Sequence, residues 1–223
     1  MAKYLLFDAD GTLYDFKATE SIALKRVFEA NGIAWNKEMF ALYEEGNHFC
    51  WDSYEKGLMS QEKLKSERFR ILFERLSIDQ DAEKAGDFYV DCLAEAGIMI
   101  DGAIAFLESI KDMGKSIVTN GIAKTQHGRI DRTDTKKYFD HIFISQEMRV
   151  AKPEKAFFDH FLAKLGKRAD ECIVIGDSEK SDIQGAINAG IESIFISFEG
   201  KRSEKATYSV SSYEELHRLI LTL

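Results

Sequence analysis

The sequence contains one proline, Pro153, three cysteines, no long apolar run and no cluster of basic residues among its 223 positions. Each scarcity closes off a class of protein. With 45% hydrophobic and 30% charged residues and no low-complexity tract, the composition is that of a soluble globular chain, not a disordered or fibrous one. Cys50, Cys92 and Cys172 are odd in number and far apart, without a C-x-x-C pair, which argues against a disulfide framework or a zinc site and fits a reducing compartment. A net charge of −8 argues against nucleic-acid polymers, whose binding draws most of its affinity from Lys and Arg neutralising phosphates. The first apolar run stops after Phe7, too short for a signal-peptide core, and no later segment reaches the length of a membrane span. A cytoplasmic protein without membrane partners is expected. His48, His127, His141, His160 and His217 share no metal-ligand spacing, so surface or packing roles are expected for each.

What is present falls into two textures. From Met1 to about Leu13, and again from about Asp101, short apolar runs alternate with helical patterns: Tyr4-Phe7, Ile117-Val118, Ile142-Ile144, Ile173-Ile175 and Ile194-Ile196. This alternation predicts βα units and a parallel sheet, with helices ending at Gly114, Gly166 and Gly190. Between about Phe16 and Ile98 almost nothing reads as a strand. Spacings such as Phe69, Leu72, Phe73, Leu76 and Phe88, Cys92, Leu93, Ala96 predict helices there. The expected organisation is an α/β core over 1–14 and 99–223, doubly wound and Rossmann-like, interrupted by an all-helical cap over 15–98.

The chemistry gathers at the ends of the strand-like runs. Side chains alternate along a strand, so Asp8 and Asp10 of "KYLLFDADGTLYD" leave on one side, with Gly11 allowing a tight turn behind them. "CIVIGDSEKSD" repeats the event with Asp177 and, further on, Asp182 at an expected helix start. "KSIVTNG" ends in Thr119-Asn120-Gly121, and "VAKPEK" sets Lys152 before the proline, which biases it to an extended backbone. In open α/β sheets ligands bind beyond the carboxyl ends of the strands, where these elements should converge. Four carboxylates in one small volume resist joint ionisation, so a cation is expected. An oxygen-only donor set without nearby His or Cys favours a hard ion such as Mg²⁺. Lys152, Thr119, Asn120 and the amides at helix starts after Gly121 and Ser178 supply what a phosphate dianion needs.

Those four stretches, "DADGT", "VTNG", "AKP" and "GDSEKSD", in this order and spacing, resemble the motifs of the haloacid dehalogenase-like (HAD) phosphohydrolases. The helical block resembles that family's inserted cap. The resemblance implies a magnesium-dependent phosphomonoesterase. In it Asp8 is the nucleophile that forms an aspartyl-phosphate, and Asp10 is the acid that protonates the leaving group and then activates water. Mg²⁺ is contacted by Asp8, the Asp10 backbone carbonyl and Asp177. Thr119, Asn120 and Lys152 bind the phosphoryl group, Asp182 orients Lys152, and Gly11, Thr12 and Ser178 give support. "WDSYEKGLMSQEKLKSERF" (Trp51, Tyr54, Gly57, Arg68, Phe69) and "TNGIAKTQHGRI" (Gln126, Arg129) resemble segments of the bacterial pyrimidine 5′-nucleotidases, which implies nucleoside 5′-monophosphates as substrates. Asp134 stands where a glycine is usual in those proteins, and Asp101 where proline is common. The alternatives are another small-molecule phosphatase or a sugar-phosphate mutase. The partner expected is a small phosphorylated metabolite, and the chain is expected to be a monomer or weak homodimer.

Blander readings accompany these. Asp15 is expected to be a solvated hinge residue, and Glu179 a first-turn acid favoured by the helix dipole. Phe16, Trp51 and Tyr54 are expected in a helical core sooner than on a nucleobase. "MGKS" at Met113–Ser116 lacks the earlier glycine of a phosphate-binding loop and precedes a strand instead of following one.

Overall fold

A computed structural model describes residues 3–223. Its sheet consists of β1 (Tyr4–Phe7), β2 (Lys115–Thr119), β3 (His141–Ile144), β4 (Cys172–Gly176), β5 (Glu192–Ile196) and β6 (Tyr208–Val210). The spatial order is β3-β2-β1-β4-β5-β6, with all neighbours parallel. This is the doubly wound, Rossmann-like arrangement expected. A parallel sheet is buried on both faces, which is why its strands read as continuous apolar runs. Leu5 and Phe7 of β1 enter one core with Ile117, Ile173, Ile175 and Ile194, whereas Tyr4 and Leu6 enter the other with Val118, Cys172 and Val174. The period of two thus feeds two cores from one strand.

The helices are α1 (Phe16–Ala30), α2 (Lys37–Glu55), α3 (Gln61–Leu76), α4 (Ala82–Glu95), α5 (Ala103–Ser109), α6 (Ala123–Arg132), α7 (Ser145–Met148), α8 (Lys155–Leu165), α9 (Gln184–Ala189) and α10 (Tyr213–Ile220). Phe106 and Leu107 of α5 and Leu216 and Ile220 of α10 cover the first face; Phe157, Phe158 and Phe161 of α8 and Ala186 of α9 cover the second.

Contacts divide the chain into two units. One holds residues 1–16, 98–123 and 130–223, with the sheet; the other holds Lys17–Gly97 together with Lys124–Arg129 of α6. The inclusion of six α6 residues in the helical unit is not anticipated by reading along the chain. It rests on the Lys124–Asp91 ion pair and on Gly128, where a Cβ would meet Ala94 Cβ at 2.7 Å. Within the helical unit Phe69, Leu72 and Phe73 are buried as their spacing predicts. On α4 the buried face runs through Ala85, Tyr89, Val90 and Leu93, leaving Phe88 half-buried beneath the Arg26 guanidinium. A polar network lies among these helices: Glu20 accepts from Tyr89 Oη at 2.9 Å and Asn47 Nδ2 at 3.3 Å, and Asn47 Oδ1 accepts from the buried Arg68 at 3.2 Å. Trp51 and Tyr54 on α2 are half-buried and meet edge to face, ring centroids 5.8 Å apart. His48, His127, His141 and His160 are exposed and His217 is half-buried.

Several local expectations differ from what is observed. Gly166 and Gly190 take left-handed φ of +61° and +69° after their helices, but Gly114 does not. Gly114 is needed for space, since a Cβ there would lie 2.7 Å from the Tyr4 ring. β6 goes unseen in sequence because only Val210 of its three residues is buried. The "MGKS" lysine is spent structurally: the buried Lys115 Nζ donates to the carbonyls of Ile110 (2.7 Å), Met113 (2.8 Å) and Lys111 (3.1 Å). Asp134 adopts φ +53°, a left-handed conformation that aspartate tolerates better than most side chains, so it fills a glycine-type position. Among the described residues no helix is long and apolar enough to cross a membrane.

Candidate active site

β1 delivers Asp8 at its carboxyl end, and the next residues fold back at once. Leu13 and Tyr14 donate their amides to the Ala9 carbonyl at 2.9 Å each, and Gly11 N–H donates to the Tyr14 carbonyl at 2.9 Å. Gly11 makes this turn possible twice over. Its φ is +74°, and a Cβ there would lie 2.1 Å from Asp177 Oδ2. Thr12 is fully buried, its hydroxyl has no hydrogen-bond partner, and its carbonyl accepts from Tyr213 Oη at 2.7 Å.

Lys152 is the centre of the geometry. Its ammonium, 1% exposed, lies 2.7 Å from Asp8 Oδ1, 2.6 Å from Asp182 Oδ1 and 2.9 Å from the Val118 carbonyl. Carboxylate oxygens of Asp8, Asp177 and Asp182 lie within 4.8 Å of one another. The structure therefore brings together Asp8, Lys152, Asp177 and Asp182, three acids around one base. Asp10 stands outside that tight group but close enough for its charge to act on both Asp8 and Asp177.

Asp182 comes from a π-turn, Glu179–Ile183, which follows β4 before α9 starts; the sequence pattern suggested an ordinary helix start. Ser178 caps this turn by accepting from Ser181 N–H at 3.2 Å. Asp182 Oδ2 in turn accepts from Ser178 N–H at 3.0 Å. Gly176, whose role the sequence did not reveal, makes room: a Cβ there would lie 2.2 Å from Asp182 Oδ2. Both oxygens of Asp182 are thus committed, one to Lys152 and one to a backbone amide.

At the β2 end the Asn120 side-chain amide pairs reciprocally with the backbone of Lys152, accepting from Lys152 N–H at 2.9 Å and donating to its carbonyl at 2.8 Å. Asn120 thereby anchors the segment whose ammonium reaches Asp8. That segment is a tight turn, Glu154 N–H donating to the Ala151 carbonyl at 2.9 Å, and its Lys152–Pro153 bond is cis. The buried Thr119 Oγ1 accepts from Gly121 N–H at 3.0 Å, which leaves the hydroxyl hydrogen to donate elsewhere. Ala123 N–H at the start of α6 donates to Gln146 Oε1 at 2.8 Å. The amides of Gly121, Ala123 and Ser178 are thus engaged within the protein. Asp15 and Glu179 are half-buried and stand outside the carboxylate group.

The electrostatics follow from three acids confronting one base. Burial pushes the Asp8 carboxyl well above the usual range, opposed by Lys152 and reinforced by Asp182, Asp177 and Asp10. Burial and then the charges of Asp182 and Asp10 push Asp177 up to about 7, although its surface stays open to solvent. Burial alone would lower Lys152; Asp182 and then Asp8 reverse this and hold it above the ordinary lysine value. The site carries uncompensated negative charge and is built from oxygen donors alone, a set suited to a hard divalent cation.

Residues 2–190 match the family model described as haloacid dehalogenase-like hydrolase. The chain belongs to that family. The hydrolase is 32% identical over 222 residues to the pyrimidine 5′-nucleotidase YjjG of Escherichia coli K12, covering 97% of each chain. It is 33% identical to the pyrimidine 5′-nucleotidase PynA of Streptococcus pneumoniae R6, covering 96% of this chain and 93% of that one. Among solved structures, Bacillus subtilis YfnB bound to magnesium superposes with a TM-score of 0.91 at 29% identity, covering 98% of each chain.

Proposed function

We propose that this hydrolase is a Mg²⁺-dependent phosphomonoesterase that acts on nucleoside 5′-monophosphates through an aspartyl-phosphate on Asp8. One observation carries the reading: the buried Lys152 ammonium is shared by Asp8 and Asp182, 2.7 and 2.6 Å away, with Asp177 completing the acid cluster. With Oδ1 held by Lys152, Asp8 keeps one rotamer and its second oxygen is left for attack. Asp182, spent on Lys152 and Ser178, acts as the group that orients the lysine.

The donor set fits magnesium. Asp8, Asp177 and the Asp10 backbone carbonyl would hold the ion, and Asp182 would not, because both its oxygens are already engaged. When bound, the ion offsets the excess negative charge and lets a phosphate dianion approach Asp8.

In the first step an Asp8 carboxylate oxygen bonds to phosphorus while the ester P–O bond breaks and Asp10 gives its proton to the leaving alkoxide. In the second, Asp10 takes a proton from water, the water oxygen bonds to phosphorus, and the P–O bond to Asp8 breaks, releasing phosphate and restoring the carboxylate. Splitting the reaction in this way replaces one hard displacement with two easier ones, and acid–base help contributes about 10²–10⁴-fold. Lys152 and the Thr119 hydroxyl support charge on the phosphoryl oxygens as it shifts. The preference for nucleotides draws on the near full-length similarity to YjjG and PynA.

The test is phosphate release from a panel of nucleoside monophosphates, sugar phosphates and p-nitrophenyl phosphate, with Mg²⁺ or with EDTA. Turnover should require Mg²⁺, favour pyrimidine nucleotides and vanish in Asp8→Asn. An Asp8→Asn protein as active as wild type would remove the nucleophile, and a preference for sugar phosphates would remove the nucleotide reading.

A further inference from the structure

The turn that follows the nucleophile is not held by its own strand alone. Within residues 9–14 the amides of Gly11, Leu13 and Tyr14 are satisfied by carbonyls of the same turn, the last two sharing that of Ala9. The Thr12 carbonyl faces out of this ring of bonds, and it accepts from Tyr213 Oη at 2.7 Å, a buried contact across 201 positions. Tyr213 is the first residue of the C-terminal helix α10, fixed by a Ser212 cap that accepts from Glu215 N–H at 3.2 Å. Its ring is clamped on two sides, stacked on Phe106 and edge-on to Phe198, each at a 5.0 Å centroid distance. A ring so held delivers its hydroxyl to one point. Burial raises the phenol's pKa, so the donor keeps its proton at any ordinary assay pH.

The geometry points to Tyr213 as a positioning residue for the catalytic turn: its hydroxyl fixes the Thr12 carbonyl and, through it, the placement of Asp10 relative to Asp8. Tyr213 lies beyond residue 190, where the family match ends, so the family's four motifs do not include it. Thr12 gives the contact particular weight, because its buried hydroxyl finds no partner and the side chain cannot anchor the turn itself. The inference rests on the reading of Asp8 and Asp10 as nucleophile and acid. A displacement of a reacting group by about 1 Å costs up to ~10²-fold in rate, so a softened turn should register in kcat before it registers in binding.

Tyr213→Phe removes the hydroxyl and keeps the ring. Ile220→Val trims the buried packing at the far end of α10 and keeps Tyr213 with both its ring neighbours, which makes it the control for a purely structural role. Two readouts apply to wild type and both variants with Mg²⁺ present: steady-state kinetics on a nucleoside monophosphate, and hydrogen exchange of the peptide covering residues 9–14. Tyr213→Phe should lower kcat about tenfold with KM nearly unchanged, and exchange in 9–14 should quicken several-fold while β1 stays protected. Ile220→Val should lower the melting temperature without changing kcat. A Tyr213→Phe enzyme with wild-type kcat and wild-type exchange overturns the inference, as does a kcat loss that Ile220→Val reproduces. Should wild type release no phosphate from any ester, the proposed function fails, and the exchange comparison alone then decides whether Tyr213 holds the turn.

Discussion

At the scale of single residues, Lys152 is the most exposed to test because it neutralises two buried acids at once. Replacing it by methionine leaves Asp8 and Asp182 without their cation, and breaking a buried pair in this manner costs about 3–5 kcal/mol. Lys152→Met should lower the urea midpoint accordingly at pH 8 and by less at pH 5, because burial raises the Asp8 carboxyl and lets it take up a proton there. It should also reduce kcat by about 10²–10³-fold, the usual loss for one donor to developing charge. Equal destabilisation at both pH values would argue against the buried acids as its origin. Gly11→Ala offers a complementary test, since it demands a left-handed conformation that costs about 1–2 kcal/mol and drives a Cβ toward Asp177. Gly176→Ala meets only the steric problem, at Asp182. Both should lose turnover, while Gly11→Ala should lose more stability in a thermal melt; the reverse ranking would mean that the turn tolerates a side chain.

At the scale of elements, the sequence exposed the strands and their acidic ends for a physical reason. Strands buried on both faces must be apolar throughout, so the point where Phe7 gives way to Asp8, or Ile175 to Gly176 and Asp177, is abrupt. Asn120, Gly121 and Ser178 were less legible, because nothing in their identity says whether an amide will serve a ligand or brace a neighbouring loop; only coordinates assign Asn120 to the backbone of Lys152. The π-turn at Glu179–Ile183 and the short β6 were hidden for a similar reason, as neither leaves an apolar period to read. Close approach of helices was equally silent. Gly86 on α4 faces the Lys65 carbonyl of α3, and a Cβ there would lie 2.5 Å from that oxygen. Gly86→Ala should therefore force the two helices apart at a cost of about 1–3 kcal/mol, read as a lower melting temperature, despite alanine's better helix propensity. A variant more stable than wild type would show that the pair has slack.

At the scale of the whole molecule, the acid cluster ties stability to pH and, on the proposed reading, should tie it to magnesium. Without metal, the folded-state pKa of Asp177, about 7, lies above its unfolded value, and that of Asp8 is raised as well. Groups shifted upward stabilise the fold below the unfolded pKa, and this contribution is lost as pH rises toward 7. Metal binding has the opposite dependence, because its ligands must be deprotonated. At a hundredfold excess over Kd, Mg²⁺ should add about 2.7 kcal/mol at pH 8 and clearly less at pH 5. Melting curves with Mg²⁺ and with EDTA at the two pH values check this, and equal increments would mean that protons and metal do not compete for the same groups.

The strand order also governs when a working site can exist. β1 is made first yet occupies the middle of the sheet, between β2 at residues 115–119 and β4 at residues 172–176. A growing polypeptide carries Asp8 for most of its synthesis before Lys152 and Asp182 have left the ribosome. Nascent fragments that stop short of about residue 185 should therefore be inert, however well their early helices form.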